Sequence, residues 1–169
     1  MSALVKHYAP IYAIEIYRND FREKIGTLIP SVQKEFGIEI TLADQPDLLN
    51  IPAVYQQGGG NFWVALNNGE VIGTIALIDI GNNIGVIRKM FLAPDHRGTG
   101  IGQQLLDTLL AWATSHGFAH LYLGTTERFA AAMRFYERNG FVITDILPTA
   151  LEKIRMKVDT IHYHRTLSA

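Results

Sequence analysis

Arg97-Gly98-Thr99-Gly100-Ile101-Gly102 is the stretch whose residue types and setting speak most directly of chemistry. It follows an apolar run ending in a turn signal, Val86-Ile87-Arg88-Lys89-Met90-Phe91-Leu92-Ala93-Pro94, and precedes an amphipathic run from Gln103 to Trp112. Three glycines and one arginine therefore stand where a strand hands over to a helix. Glycine lets backbone N–H groups approach a ligand without a Cβ in the way. The helix N-terminus adds unpaired donors and a partial positive charge. Together they suit a phosphate or pyrophosphate. The plain alternative is a glycine turn that only caps a helix.

Two other glycine-loop chemistries fail on spacing. A P-loop needs Gly-Lys-Ser/Thr, and this chain has Gly102-Gln103-Gln104. A dinucleotide loop needs G-x-G-x-x-G, whose third glycine falls on Gln103 or Leu105 in the two available registers. Such a loop would also follow the first strand of a parallel unit, whereas this one follows a meander. His162 and His164 flank Tyr163 and share one face of a strand, but no third metal ligand accompanies them. No metal site is expected.

The elements that must hold the loop can be read from periodicity. A first strand spans residues 10 to 18, and a polar helix runs from Asn19 or Asp20 to Phe36 despite Gly26 and Pro30. A short helix is expected from Asp47 to Gln57, before Gly58-Gly59-Gly60. Strands Phe62–Leu66 and Val71–Ile78 flank Asn67-Asn68-Gly69-Glu70, a hairpin turn because Asn-Gly tolerates positive φ at both central positions. Gly81-Asn82-Asn83 reverses the chain into a strand over 84 to 92. Helix 101 to 116 lines up Ile101, Leu105, Leu109 and Trp112, and Gly117 caps it. A strand over 119 to 123, a helix over 127 to 138, a strand over 141 to 143 and a last strand from near Ile154 to Tyr163 complete the order. The fold class is α+β: a central mixed, largely antiparallel sheet flanked by about four helices, in a single domain over residues 1 to 169.

Composition narrows the function classes. Of 169 residues, 48% are apolar and 18% charged, as in a soluble globular domain. Fifteen Lys and Arg against sixteen Asp and Glu leave no basic surplus for nucleic acid. The absence of cysteine excludes disulfides, thiolate metal sites and a cysteine nucleophile. No apolar run has membrane-spanning length and Met1-Ser2-Ala3 does not open a signal peptide, so a cytoplasmic location is expected.

Arg97-x-x-Gly100-x-Gly102 resembles the Q/R-x-x-G-x-G/A signature of the GNAT superfamily, the acetyl-CoA-dependent N-acetyltransferases. Met90-Phe91-Leu92-Ala93-Pro94 looks like that family's central strand, and Phe135-Tyr136-Glu137-Arg138-Asn139-Gly140-Phe141 resembles its closing signature. The likeness covers roughly residues 60 to 145. The resemblance implies acetyl-CoA as co-substrate, with the amides of Arg97, Gly98, Thr99, Gly100, Ile101 and Gly102 on its pyrophosphate. It also implies Met90, Phe91 and Leu92 along the pantetheine arm, and Tyr136 at its thiol end. Many members carry an Asn seven residues before the tyrosine; here that place is Phe129. Another branch has Leu-x-Thr at the preceding strand end, which Leu123-Gly124-Thr125 resembles, so Thr125 joins the expected cofactor residues.

The implied reaction, acetyl transfer from a thioester to a primary amine by direct attack, needs a neutral amine, an oxyanion donor and protonation of the leaving thiolate. Tyr136 is the candidate acid: Phe129, Ala132, Met133 and Tyr136 share one helical face, and a phenol of pKa about 10 can protonate a thiolate of pKa about 8.5. The family arrangement places the oxyanion donor at the Leu92 amide or its neighbour. No residue is named as base, since Asp79 and His120 read as ordinary surface or packing. Arg88 and Lys89 point to opposite faces of a strand, so one of them, taken as Arg88, would line the acceptor cleft and favour a carboxylate-bearing, amino-acid-like small molecule. Trp63 either belongs to the core or borders that cleft. The alternatives are a non-catalytic acyl-CoA-binding regulatory module and a transferase with another donor. A homodimer through the C-terminal strand is a further expectation.

Overall fold

The computed structural model describes residues 12–168. Its strands are β1 (Tyr12–Ile16), β2 (Asn61–Asn67), β3 (Glu70–Asp79), β4 (Ile84–Leu92), β5 (His120–Thr125), β6 (Val142–Ile143) and β7 (Ile161–Thr166). Its α-helices are α1 (Arg22–Glu35), α2 (Ile51–Val54), α3 (Ile101–Ser115), α4 (Ala130–Arg138) and α5 (Thr149–Glu152). The strands form one sheet in the order β1-β2-β3-β4-β5-β7-β6. Every neighbouring pair is antiparallel except β4 and β5. A parallel pair cannot be joined by a tight turn, and α3 supplies the crossover.

The sheet is covered on both faces, which explains why β2 is buried almost end to end. Its alternate residues Phe62 and Val64 pack with Ile25 and Ile29 of α1, while Trp63 and Ala65 join Leu105 and Leu109 of α3. The Asn68-Gly69 turn has φ of 50° and 79° at its two central residues, as the hairpin reading requires. α3 begins and ends within a residue of its expected limits.

Two elements differ from the sequence reading. The segment 47 to 57 is not one helix: Pro46 and Pro52 divide it into a short 3-10 turn and the four-residue α2. The last strand begins at Ile161 rather than near Ile154, because residues 149 to 152 form α5 and 153 to 160 are irregular. β7 lies inside the sheet between β5 and β6, so the edge on that side belongs to β6. Residues 10 and 11 of the expected first strand lie outside the described residues. Among the described residues, no helix is long and apolar enough to cross a membrane.

Candidate active site

The site exists because β4 and β5 part company. Their pairing runs only from Ile84↔His120 to Ile87↔Leu123. Beyond it, β4 carries a bulge. Ala76 pairs with Arg88 and Thr74 with Phe91, so Lys89 and Met90 together oppose Ile75. Lys89 takes φ of 53°, a left-handed conformation that a side chain rarely adopts. Its carbonyl accepts the Thr74 hydroxyl at 2.6 Å, which pins the bulge. Its ammonium reaches a buried polar cluster, donating to Gln45 Oε1 at 2.8 Å and lying 3.3 Å from Asp47 Oδ2. Gln45 exchanges two hydrogen bonds with Gln33 of α1, and Tyr55 donates to Asp47. Burial lowers the pKa of the Lys89 ammonium, against the pull of Asp47.

Past the bulge, the free side of β4 faces a groove. Ala93 N–H donates to Ile72 O at 2.8 Å on the β3 side. Successive residues alternate sides, so the Leu92 amide faces the side that β5 has left. The groove has a volume of about 550 Å³ and is lined by β4 at Met90, Phe91 and Leu92 and by the loop at Arg97, Gly98, Gly100 and Gly102. The face of α4 bearing Phe135 and Tyr136 closes it. Gly98 and Gly100 have φ of 72° and 87°. Gly100 is the N-cap of α3, and no side chain caps that end. The first-turn amides, which a helix cannot pair internally, are thus left for an anion.

On the other side of Tyr136 lies a smaller cavity of about 120 Å³. It is charged: Arg88, Lys89, Arg155, Asp159 and His162 all reach its wall. Met90, Phe91, Phe129, Ala132 and Tyr136 line both spaces, so the groove and the cavity meet at those residues. Tyr136 is 6% exposed. Burial, and more weakly the Asp159 carboxylate, push its phenol well above the ordinary value, so it stays protonated at neutral pH. Arg88 donates to the carbonyl of Ile154. Asp159 approaches β5 so closely that a Cβ on Gly124 would lie 2.4 Å from its Oδ2. Burial raises its carboxyl to about 6, although Arg88, Lys89 and Arg155 pull the other way.

Of the residues expected to hold the cofactor, Met90, Phe91, Leu92, Arg97, Gly98, Gly100, Gly102 and Tyr136 line the groove. The Arg97 guanidinium donates to Leu92 O at 3.0 Å and pairs with Glu35 of α1, over the Phe36 ring. Thr99 donates its hydroxyl to His96 O, and the Ile101 side chain is fully buried, so either could reach a ligand only through its backbone. Thr125 stands on the wall of the smaller cavity rather than in the groove. Arg88 and Lys89 both line that cavity, because the bulge breaks the alternation that would send them to opposite faces.

Trp63 is 2% exposed and packs edge-on against Trp112. It borders neither space. Asp79 accepts from Gly59 and Gly81 N–H, and Trp112 donates to Gly59 O, so the triple-glycine segment is tied to the sheet end. His120 and His164 share a hydrogen bond of 3.0 Å beside Tyr122. Sequence reasoning missed Arg155 and Asp159, which lie in a segment that reads as strand from the sequence but is irregular.

Comparison with known proteins agrees with this geometry. Residues 27–141 match the Acetyltransferase (GNAT) family. An Escherichia coli K12 protein described as the uncharacterized N-acetyltransferase YjgM is 33% identical over 124 residues, 69% of this chain and 74% of that protein. The crystal structure of a GNAT-family acetyltransferase from Staphylococcus aureus Mu50 superimposes with a TM-score of 0.89 at 36% identity, over 94% of this chain and all of that one. The N-acetylaspartate synthetase of Xenopus tropicalis is 35% identical over 99 residues, 56% of this chain but only 36% of that protein. The chain spans about half the length of several other such relatives. With the parted strands, the uncapped glycine loop and the buried tyrosine now joined by these likenesses, the chain belongs to the GNAT family of acetyltransferases.

Proposed function

We propose that this chain moves an acetyl group from acetyl-CoA to the primary amine of a small acceptor bearing a carboxylate, by direct attack on the thioester. The observation that carries this reading is the meeting of two unlike spaces at Tyr136: a long groove under the glycine loop and a small charged cavity. A pyrophosphate on the loop amides would lay the pantetheine arm along β4 and bring the thioester to the junction. The Leu92 amide, facing the parted side, is placed to donate to the oxyanion. Tyr136, protonated at neutral pH, would hydrogen-bond the departing thiolate and pass it a proton as the amine's second proton replaces it on the phenol.

The acceptor's carboxylate follows from charge. Arg88, Lys89 and Arg155 outnumber Asp159 on the cavity wall, so the cavity suits a molecule with negative charge beside its amine. The name of one relative, N-acetylaspartate synthetase, fits such an acceptor. The test follows release of free thiol from acetyl-CoA over a panel of amino acids and neutral primary amines. Turnover of carboxylated amines at least about tenfold faster than of neutral ones supports the reading. A Tyr136→Phe variant should lose about 100-fold or more in kcat while coenzyme A affinity stays within about threefold. Retained binding with no wild-type turnover on any amine would favour a regulatory acyl-CoA-binding module instead.

A further inference from the structure

We infer that Asp159 is the group that takes the proton from the acceptor's ammonium. The inference rests on the acetyl transfer proposed above and adds a residue that the reaction lacks. An amine of ordinary pKa is neutral in only about one molecule in a few thousand at pH 7, so attack without a base is slow. Among the described residues, Asp159 is the single carboxylate on the wall of the acceptor-side cavity, which it shares with Tyr136.

Two features of the fold put it there. The irregular segment before β7 is held to the end of β5 where Thr160 N–H donates to Thr125 O at 2.8 Å. Residue 124 on β5 is glycine, and any Cβ at that position would occupy the space of the carboxylate, 2.4 Å from Oδ2 and 2.6 Å from Cγ. The missing side chain lets Asp159 lie flat over β5, beyond the point where β5 leaves β4. The cavity it lines meets, at Tyr136, the groove that the Leu92 amide faces.

The charged surroundings suit the role. Arg88 and Lys89 of β4, Arg155 of the preceding segment and His162 of β7 face the same cavity, and Tyr136 approaches from α4. Glu127, just before α4, is engaged by the hydroxyls of Thr126 and Thr160 instead. Three cations around one carboxylate lower the proton affinity of an incoming ammonium as well as that of the acid. Burial works against them on Asp159 and leaves its carboxyl at about 6, close enough to neutrality to accept a proton and give it up again.

The step balances. The ammonium gives one proton to Asp159 Oδ, which returns it to solvent. The freed nitrogen lone pair forms the C–N bond and the C–S bond breaks. The second proton leaves nitrogen as the amide forms and restores Tyr136, whose own proton has gone to the thiolate. One proton is released per turnover.

Asp159→Asn tests this against two nucleophiles: the best amine from the acceptor panel, an ammonium at pH 7, and hydroxylamine, which is largely unprotonated there. Rates are taken over the enzyme-free reaction, and coenzyme A affinity is measured by calorimetry as a check on the fold. The expected result is a loss of about 100-fold or more in kcat/KM on the amine and less than about threefold on hydroxylamine. The acid limb of the wild-type amine profile, centred near pH 6, should vanish. Gly124→Ala, which displaces the carboxylate, should show the same selectivity. An equal loss on both nucleophiles, a loss of coenzyme A binding, or undiminished amine turnover would overturn the assignment. A wild type that turns over no amine would sink the transferase reading itself, and this inference with it.

Discussion

Two glycines two residues apart, one at the N-cap of α3 and one in its first turn, should respond to alanine with opposite signs. Gly100 has φ of 87°, where an L side chain costs about 1–2 kcal/mol. No atom lies within 4 Å of the methyl that alanine would add, so strain is the whole cost. For a chain of this size each kcal/mol shifts Tm by about 2–4 °C, so Gly100→Ala should melt about 2–8 °C lower. Gly102 lies within α3, and its added methyl would touch only Met90 Cε, at 3.8 Å. Replacing a helical glycine by alanine gains about 0.5–1 kcal/mol, so Gly102→Ala should melt about 1–4 °C higher. Binding should separate them further. A hydrogen bond to a charged group contributes about 1.5–3 kcal/mol, so turning one loop amide away weakens coenzyme A by about 10- to 100-fold in Gly100→Ala. Gly102→Ala should bind within about threefold of wild type. Thermal denaturation and calorimetric titration with coenzyme A read both effects. A folded Gly100→Ala protein with undiminished affinity would refute the idea that these amides hold the pyrophosphate.

Further substitutions probe the acceptor side and the bulge. Arg88→Ala should cut kcat/KM on carboxylated amines by at least about tenfold more than on neutral ones, since a charge-assisted contact is at stake; equal losses would argue against acceptor recognition by charge. Lys89→Met removes one partner of a pair whose side chains are 5% and 15% exposed. It should cost about 3 kcal/mol and lower Tm by about 6–12 °C, and a shift under about 2 °C would show the pair to be dispensable. Asp159 carries a stability consequence with the reverse sign. Its carboxyl is pushed up to about 6 in the fold, against about 3.9 for an ordinary aspartate. The folded state therefore binds the extra proton between those values, and stability declines as pH rises through that window. Asp159→Asn removes the penalty and should be the more stable protein at pH 7, by on the order of 2–3 kcal/mol, with the gain fading below about pH 4. A variant less stable than wild type at pH 7 would contradict the buried-acid picture.

The donor half of the site was legible because backbone geometry writes itself into residue type. Positive φ at Asn68-Gly69 and at Gly98 and Gly100 demands glycine or asparagine, and the sequence supplies them there. The 3.6-residue stripe of α3 and the face ending in Tyr136 were visible for the same kind of reason: one side of each helix must be apolar. The acceptor half was hidden. Lys89 at φ of 53° breaks the two-residue period of β4, so the alternation rule sent Arg88 and Lys89 to different faces when both reach one cavity. The hydrogen bonds that fix this bulge come from Thr74, Gln45 and Asp47, which are distant in sequence. Asp159 depends on what Gly124 lacks, a relation between β5 and the irregular segment before β7 that no local pattern encodes. The segment 154 to 160 read as strand because Ile154, Met156 and Val158 alternate with charged residues, yet it runs as irregular chain.

The separation of the two halves has an evolutionary corollary. The groove stands on β4, α3 and α4, while much of the small cavity's wall comes from Ile38, Ile40 and the residues between Leu151 and Asp159. Insertions or swaps in those two stretches could retune which nucleophile is welcomed without disturbing the machinery that activates the acyl carrier. A gene copy could thus acquire a new client by drifting at a handful of loop positions, with its folding nucleus and its acyl-group currency inherited intact.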